Sequence, residues 1–184
     1  MPNSAITVFG QDSFHKAVAE TFAAIDICIN RGLFVPAQVL IFSALDAFSY
    51  VELPQIANAM NRFQAWVDKR VLPHDDVLCD AVDLYAARSA ILHRLGVRSR
   101  LSESGQAASI VFSHGDAPFA TLRELRDSVR TKTGKVVPIV RLEALADALA
   151  KGVTALLQDV EADPDLKARM ERYWEVEQPF RFPV

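Results

Sequence analysis

The sequence predicts a mainly α-helical domain, a four-to-five-helix bundle with a small two-stranded β-hairpin appended. Three observations carry that prediction. Apolar residues recur at three- and four-residue spacing through four long segments of the first half and one in the last third. Helix punctuation separates these segments, at Gly32, Pro36, Pro54, Pro73 and Gly96. Only two short β-branched runs break the helical period. With 184 residues, 51% of them apolar, the chain can bury a full core as one domain. It divides into a four-helix core over 1–96, a loop, hairpin and short helix over 97–141, and C-terminal helices with a tail over 142–184.

Asp12 or Ser13 is a suitable N-cap for a first helix running to about Asn30, with Gly32 as its stop. Phe14, Val18, Phe22, Ile25 and Ile29 form its apolar stripe. Pro36 suits the first turn of a second helix to about Val51, which is apolar nearly all round and so should be the most buried. Pro54 opens a third helix to about Val71, and Pro73 ends it. A fourth starts at His74 or Asp75, with Asp75 and Asp76 complementing its N-terminal dipole, and stops at Gly96. Ser109–Ser113 and Val136–Val140 are the two strand candidates, with an amphipathic helix near Leu122–Val129 between them, and Pro138 marks the second as an edge. A long helix over 142–160 and a short one after Pro164 follow. The tail from Gln178 to Val184 is extended and docked through its phenylalanines, or loose.

Composition excludes several classes. No run approaches the ~20 consecutive apolar residues of a membrane span, and Met1-Pro2-Asn3-Ser4 lacks the layout of a signal peptide. Cys28 and Cys79 form no CxxC and read as small core residues of a reducing compartment, so a cytoplasmic location is expected, with no membrane partner. A net charge of −3 argues against a protein coated by nucleic acid. The charge is uneven, however: residues 88–141 hold 10 Lys/Arg against 4 Asp/Glu, while both flanking segments are acidic. Arg94, Arg98 and Arg100 open this basic segment, which is either solvated charge or a phosphate-binding patch. No Walker loop, GxSxG, GxGxxG or HExxH is present, and no cofactor or metal is expected. His74-Asp75 resembles a metal-binding doublet but reads more simply as a cap, and His114-Gly115-Asp116 as a turn.

One helix carries chemistry. Its stripe reads Val77, Ala81, Leu84, Arg88, Ile91, Leu95, so Arg88 is a charge among core residues and needs an anionic partner. Asp46, the lone charge among Phe42, Leu45, Phe48 and Tyr50 on the second helix, is the expected partner, and its loss should destabilise the fold strongly. His93 follows five residues later, about 140° around the helix, on the strip of Val82, Ala86 and Ser89. Near the helix C-terminus it can hold a proton, while an arginine beside it can hold anionic charge, a pairing suited to phosphodiester chemistry. The same residues also fit a plainer role, with Arg88 tying two helices together and His93 complementing the dipole.

Leu84-Tyr85-Ala86-Ala87-Arg88 through Leu92-His93, with Leu101-Ser102 and Gly105 beyond, resembles the Arg-x4-6-His motif of HEPN-type helical bundle proteins, over about 20 residues. The resemblance implies a homodimer that brings two motifs over one cleft and cleaves RNA without metal, the 2′-hydroxyl attacking the adjacent phosphate. Carried over, His93 handles protons and Arg88 binds the scissile phosphate, with Asp46 and Ser89 in support and Arg94, Arg98 and Arg100 on the RNA. It also implies a toxin-like role with an antitoxin-type protein partner. Ser89 departs from the Asn, Asp or His that active members carry there. Relatives without activity serve as binding or dimerisation modules, and a non-catalytic dimerisation or nucleotide/nucleic-acid binding module is the alternative reading.

Overall fold

The structure, a computed structural model, describes residues 10–74 and 77–173, with side chains from Phe14 onward. The elements run α1 (Gly10–Asn30), α2 (Phe34–Glu52), α3 (Ala59–Arg70), α4 (Ala81–Arg94), α5 (Arg100–Glu103), β1 (Val111–Ser113), α6 (Phe119–Thr133), β2 (Ile139–Arg141), α7 (Leu142–Ala162) and α8 (Pro164–Tyr173). Among the described residues there are thus eight helices rather than four or five. The single-turn α5 is the addition, whereas α6 between the strands and α8 after Pro164 stand where the sequence places helices outside the bundle.

Two long helices organise the core. α2 touches α1, α3, α4, α7 and α8, and α7 touches α1, α2, α3, α8 and β2. Ile41, Phe42 and Leu45 of α2 meet Leu145, Leu149 and Leu156 of α7 in one apolar cluster that extends from Phe14 to Met170. Burying side chains of this size stabilises the fold by roughly 1.5–3 kcal/mol each. Because α2 faces neighbours on most sides, it is apolar nearly all round, as its sequence predicts. Among the described residues it is also the one helix whose length and composition would suffice to cross a membrane.

Helix boundaries follow the caps. α1 ends at Gly32, whose positive φ of 68° closes the turn. α3 starts later than Pro54 because Asn58 is its cap: the Asn58 side chain accepts a hydrogen bond from the Asn61 N–H at 3.0 Å. α4 is corrected in the same way. It begins at Ala81, not His74, since the Asp80 carboxylate caps it by accepting from the Asp83 N–H at 2.8 Å. Val77 and Leu78 therefore precede the helix, and Asp75 and Asp76 lie outside the described residues. At the other end the left-handed residue is Leu95 (φ 48°), one position before the expected Gly96.

The hairpin is also corrected. β1 and β2 are parallel, with Val111 opposite Ile139 and Ser113 opposite Arg141. A tight turn reverses a chain, but the 15 residues of α6 between the strands carry it back across, so the second strand runs in the direction of the first. Pro138, lacking an N–H, precedes β2, and its carbonyl accepts from the Val111 N–H at 2.9 Å. α7 spans the predicted long helix and two residues more. The tail from Gln178 lies outside the described residues.

Candidate active site: the Asp46–Arg88–His93 cluster

Asp46 projects from the middle of α2 and Arg88 from the middle of α4, where the two helices pack. The predicted pair forms. Arg88 Nε donates to Asp46 Oδ2 at 2.9 Å, and Nη2 donates to the same oxygen. The side chains keep 18% and 30% of their exposure, so this is a half-open pair, not the sealed one the stripe implied. Half-exposed pairs contribute about 1 kcal/mol, less than a buried charge would cost when stripped of its partner, so a strong destabilisation on losing Asp46 no longer follows.

The structure brings His93 to the same guanidinium. Arg88 Nη1 lies 3.2 Å from His93 Nε2 although the two residues stand on different faces of α4. Arginine's long side chain spans that difference. A guanidinium only donates, so Nε2 is the acceptor and the ring proton belongs on Nδ1. His93 is exposed at the helix end. Tyr85, one turn before Arg88, lies under the charge: its ring centroid is 5.8 Å from Arg88 Cζ, and its own edge packs on Phe63 at 5.5 Å. Asp46 and Tyr85 thus fix the guanidinium from two sides while its third side holds an imidazole. Of five N–H groups, one on each terminal nitrogen stays available to an anion.

The other expected residues fall around this centre. Ser89 is half-buried and makes no side-chain hydrogen bond among the described residues. Ala86, on the same strip as His93, is already buried within the chain, while Val82 is half-buried. Arg94, Arg98 and Arg100 are exposed at the α4–α5 junction, and Arg94 forms an ion pair with Glu103 at 3.6 Å. Cys28 and Cys79 are free thiols, half-buried. Burial, then the charges of Asp83 and Asp80, push the Cys79 thiol up and away from thiolate chemistry. His114 stacks on Phe34 at 4.1 Å, next to Gly115 with φ 88°, as the turn reading expects.

A second charged site was not foreseen. Glu52, at the end of α2, accepts from Trp66 Nε1 at 2.7 Å, from Lys69 Nζ at 2.7 Å and from Arg70 through Nε at 3.1 Å and Nη2 at 2.5 Å. Arg70 also reaches Asp159 of α7. Burial would raise the Glu52 carboxyl, but the hydrogen bonds and charges of Arg70 and Lys69 outweigh it and hold it below 4.5. Gly152 of α7 lies so close that an added Cβ would meet the Arg70 carbonyl oxygen at 2.5 Å. The available signal was the one that exposed Asp46, a charge on an otherwise apolar helix; at a helix end it reads instead as solvated. Asp83 is a second buried carboxyl, accepting from the Ala108 N–H at 2.6 Å. Burial dominates there and, with the Asp80 charge, raises it despite that bond.

Comparison of the chain with protein-family models, with curated proteins and with solved structures finds no match.

Proposed function

We propose that the chain is a metal-independent endoribonuclease of the HEPN type, toxin-like, with Arg88 and His93 as its catalytic residues. The observation that carries this reading is the 3.2 Å contact between Arg88 Nη1 and His93 Nε2 at a half-open surface. An arginine pre-oriented by a carboxylate and a histidine with an acceptor nitrogen are what 2′-hydroxyl attack on a phosphodiester needs. Arg88 binds the scissile phosphate through its two unused N–H groups and stabilises the charge that builds on it. His93 Nε2, released from Arg88, takes the 2′-hydroxyl proton. The 2′-oxygen forms a bond to phosphorus, the bond to the 5′-oxygen breaks, and that oxygen leaves with a proton from water. The products are a 2′,3′-cyclic phosphate and a 5′-hydroxyl. Asp46 is a positioning residue, and Arg94, Arg98 and Arg100 supply positive charge beside the site. Leu95 and Val97, 68% and 72% exposed directly after His93, supply apolar area for a second copy, which makes a homodimer through this end of α4 part of the proposal. An antitoxin-type protein would cover the same surface.

The alternative, a non-catalytic dimerisation or nucleotide-binding module, is favoured by one observation: Asp46 already occupies two of the guanidinium nitrogens. An RNA incubated with the protein in excess chelator separates them. The ribonuclease yields cyclic-phosphate ends and leaves an RNA carrying a 2′-deoxy sugar at the cleaved position intact. A module leaves both RNAs intact, and cleavage of the 2′-deoxy RNA contradicts the mechanism.

A further inference from the structure

A cavity of about 380 Å³, lined by none of Asp46, Arg88 and His93, lies between the start of α4 and α6. Its volume is at the lower end of small-molecule sites. The charges in its lining come from two elements: Asp80 and Asp83 stand at the start of α4, and Arg126 belongs to α6. Leu78, Val136 and Pro138 add apolar wall. Opposite charges that share a cavity ordinarily pair across it, and these do not. Arg126 turns instead to Asp127, its neighbour in sequence, through Nε at 3.3 Å and Nη2 at 3.2 Å. One oxygen of Asp80 accepts from the Asp83 N–H, and one oxygen of Asp83 accepts from the Ala108 N–H. Asp83 is the sharper observation. The residue keeps only 8% of its exposure, yet its Oδ2 makes no hydrogen bond among the described residues and is not sealed, so it opens on the cavity. Burial and the Asp80 charge raise this carboxyl, a strain that a cation brought beside it would relieve. Arg126 Nη1 is likewise uncommitted and unsealed.

Together these groups select a ligand class. A simple amine would satisfy the carboxylates and leave Arg126 facing a like charge. A simple anion would suit Arg126 and meet repulsion from Asp80 and Asp83. A molecule carrying both charges a few bonds apart satisfies both walls, and an apolar group on it has Leu78, Val136 and Pro138 to pack against. We propose that this cavity binds a free α-amino acid with an apolar side chain, its ammonium on Asp80 and Asp83 and its carboxylate on Arg126. Both contacts are charge-assisted, and the cavity walls lower the dielectric around them. The site uses neither Arg88 nor His93, so it stands whether or not the chain cleaves RNA.

Titration calorimetry on the full chain tests it, with L-leucine as the probe. Leucine should bind saturably. N-acetyl-leucine, which lacks the ammonium, and leucinamide, which lacks the carboxylate, should each bind about tenfold more weakly, as loss of one charge-assisted contact implies. Asp83→Asn keeps an acceptor for the Ala108 N–H and should weaken leucine about tenfold while leaving N-acetyl-leucine unchanged. Arg126→Gln should weaken leucine by a similar factor and leave leucinamide unchanged. A merely structural role for either residue would weaken all three ligands alike, so this crossing of variant and ligand is specific to the proposal. Melting curves without ligand identify any variant that misfolds, and if Asp83→Asn does, Arg126→Gln on the half-buried face of α6 decides alone. No saturable heat with leucine, valine or methionine up to ~10 mM overturns the site, since weaker binding would carry no specificity. Leucinamide or N-acetyl-leucine binding as tightly as leucine also overturns it, as does equal affinity of wild type and the folded variants for leucine.

Discussion

Two arginine–carboxylate pairs tie α2 to its neighbours, and they are built in opposite ways. Glu52–Arg70 is sealed: both side chains are nearly inaccessible, and Trp66, Lys69 and Asp159 satisfy what the pair leaves over. Asp46–Arg88 is half-open, and what it leaves over is offered to an exposed histidine and to solvent. The same chemistry thus yields a staple in one place and a half-open surface with unused donors in the other. The deciding variable is how many of the guanidinium's donors are already used.

The contrast can be broken most forcefully at its sealed end. Arg70→Met leaves Glu52 buried without its main partner and should cost about 3–5 kcal/mol in urea unfolding. A loss no larger than that of Arg88→Met would erase the distinction. Gly152→Ala drives a methyl into the Arg70 carbonyl and should cost about 2 kcal/mol, since helix backbones must separate to admit it. At the open end the effects shrink. Asp46→Ala should cost only about 1 kcal/mol while loosening Arg88, so its signature is lost activity in a protein of near-normal stability. Leu95→Gly relieves a left-handed residue with a side chain and should stabilise by about 1 kcal/mol, visible as a raised Tm.

Acid sharpens the same comparison. The Glu52 carboxyl titrates lower in the folded chain than when unfolded, so its stabilisation is complete above 4.5 and is lost as pH falls below that through the folded value. Glu52→Gln should therefore be less stable than wild type at neutral pH and converge on it in acid. Parallel curves would show that the carboxylate is not ionised in the pair. Asp83, raised by burial, contributes with the opposite slope: its stabilisation is full below 3.8 and declines as pH rises through its folded value.

How much of this was legible in the sequence follows from where each signal lives. The Asp46–Arg88 pair was readable because each charge interrupts an apolar stripe mid-helix, where nothing but a partner explains it. The contact of Arg88 with His93 was not, because spacing gives the direction in which a side chain leaves the helix but not how far an arginine bends back. α1, α2 and α7 were readable from period and punctuation. The start of α4 was not, since Val77 and Leu78 continue the helical spacing before Asp80 caps it. The strand direction required weighing the helix between the runs as a crossover, a topological consequence that local propensity does not carry. Glu52–Arg70 was hidden because both residues close their helices, where charge is ordinary.

The most direct test of the open cluster as a catalytic centre is the single-turnover rate of RNA cleavage in chelator, normalised to folded protein, for wild type, Arg88→Ala and His93→Ala. The account predicts cleavage by wild type and a loss of a hundredfold or more, ~10²–10⁴ for a proton-transfer residue, in His93→Ala, with a comparable loss in Arg88→Ala. Cleavage at the wild-type rate by both folded variants, or none by wild type itself, would contradict it.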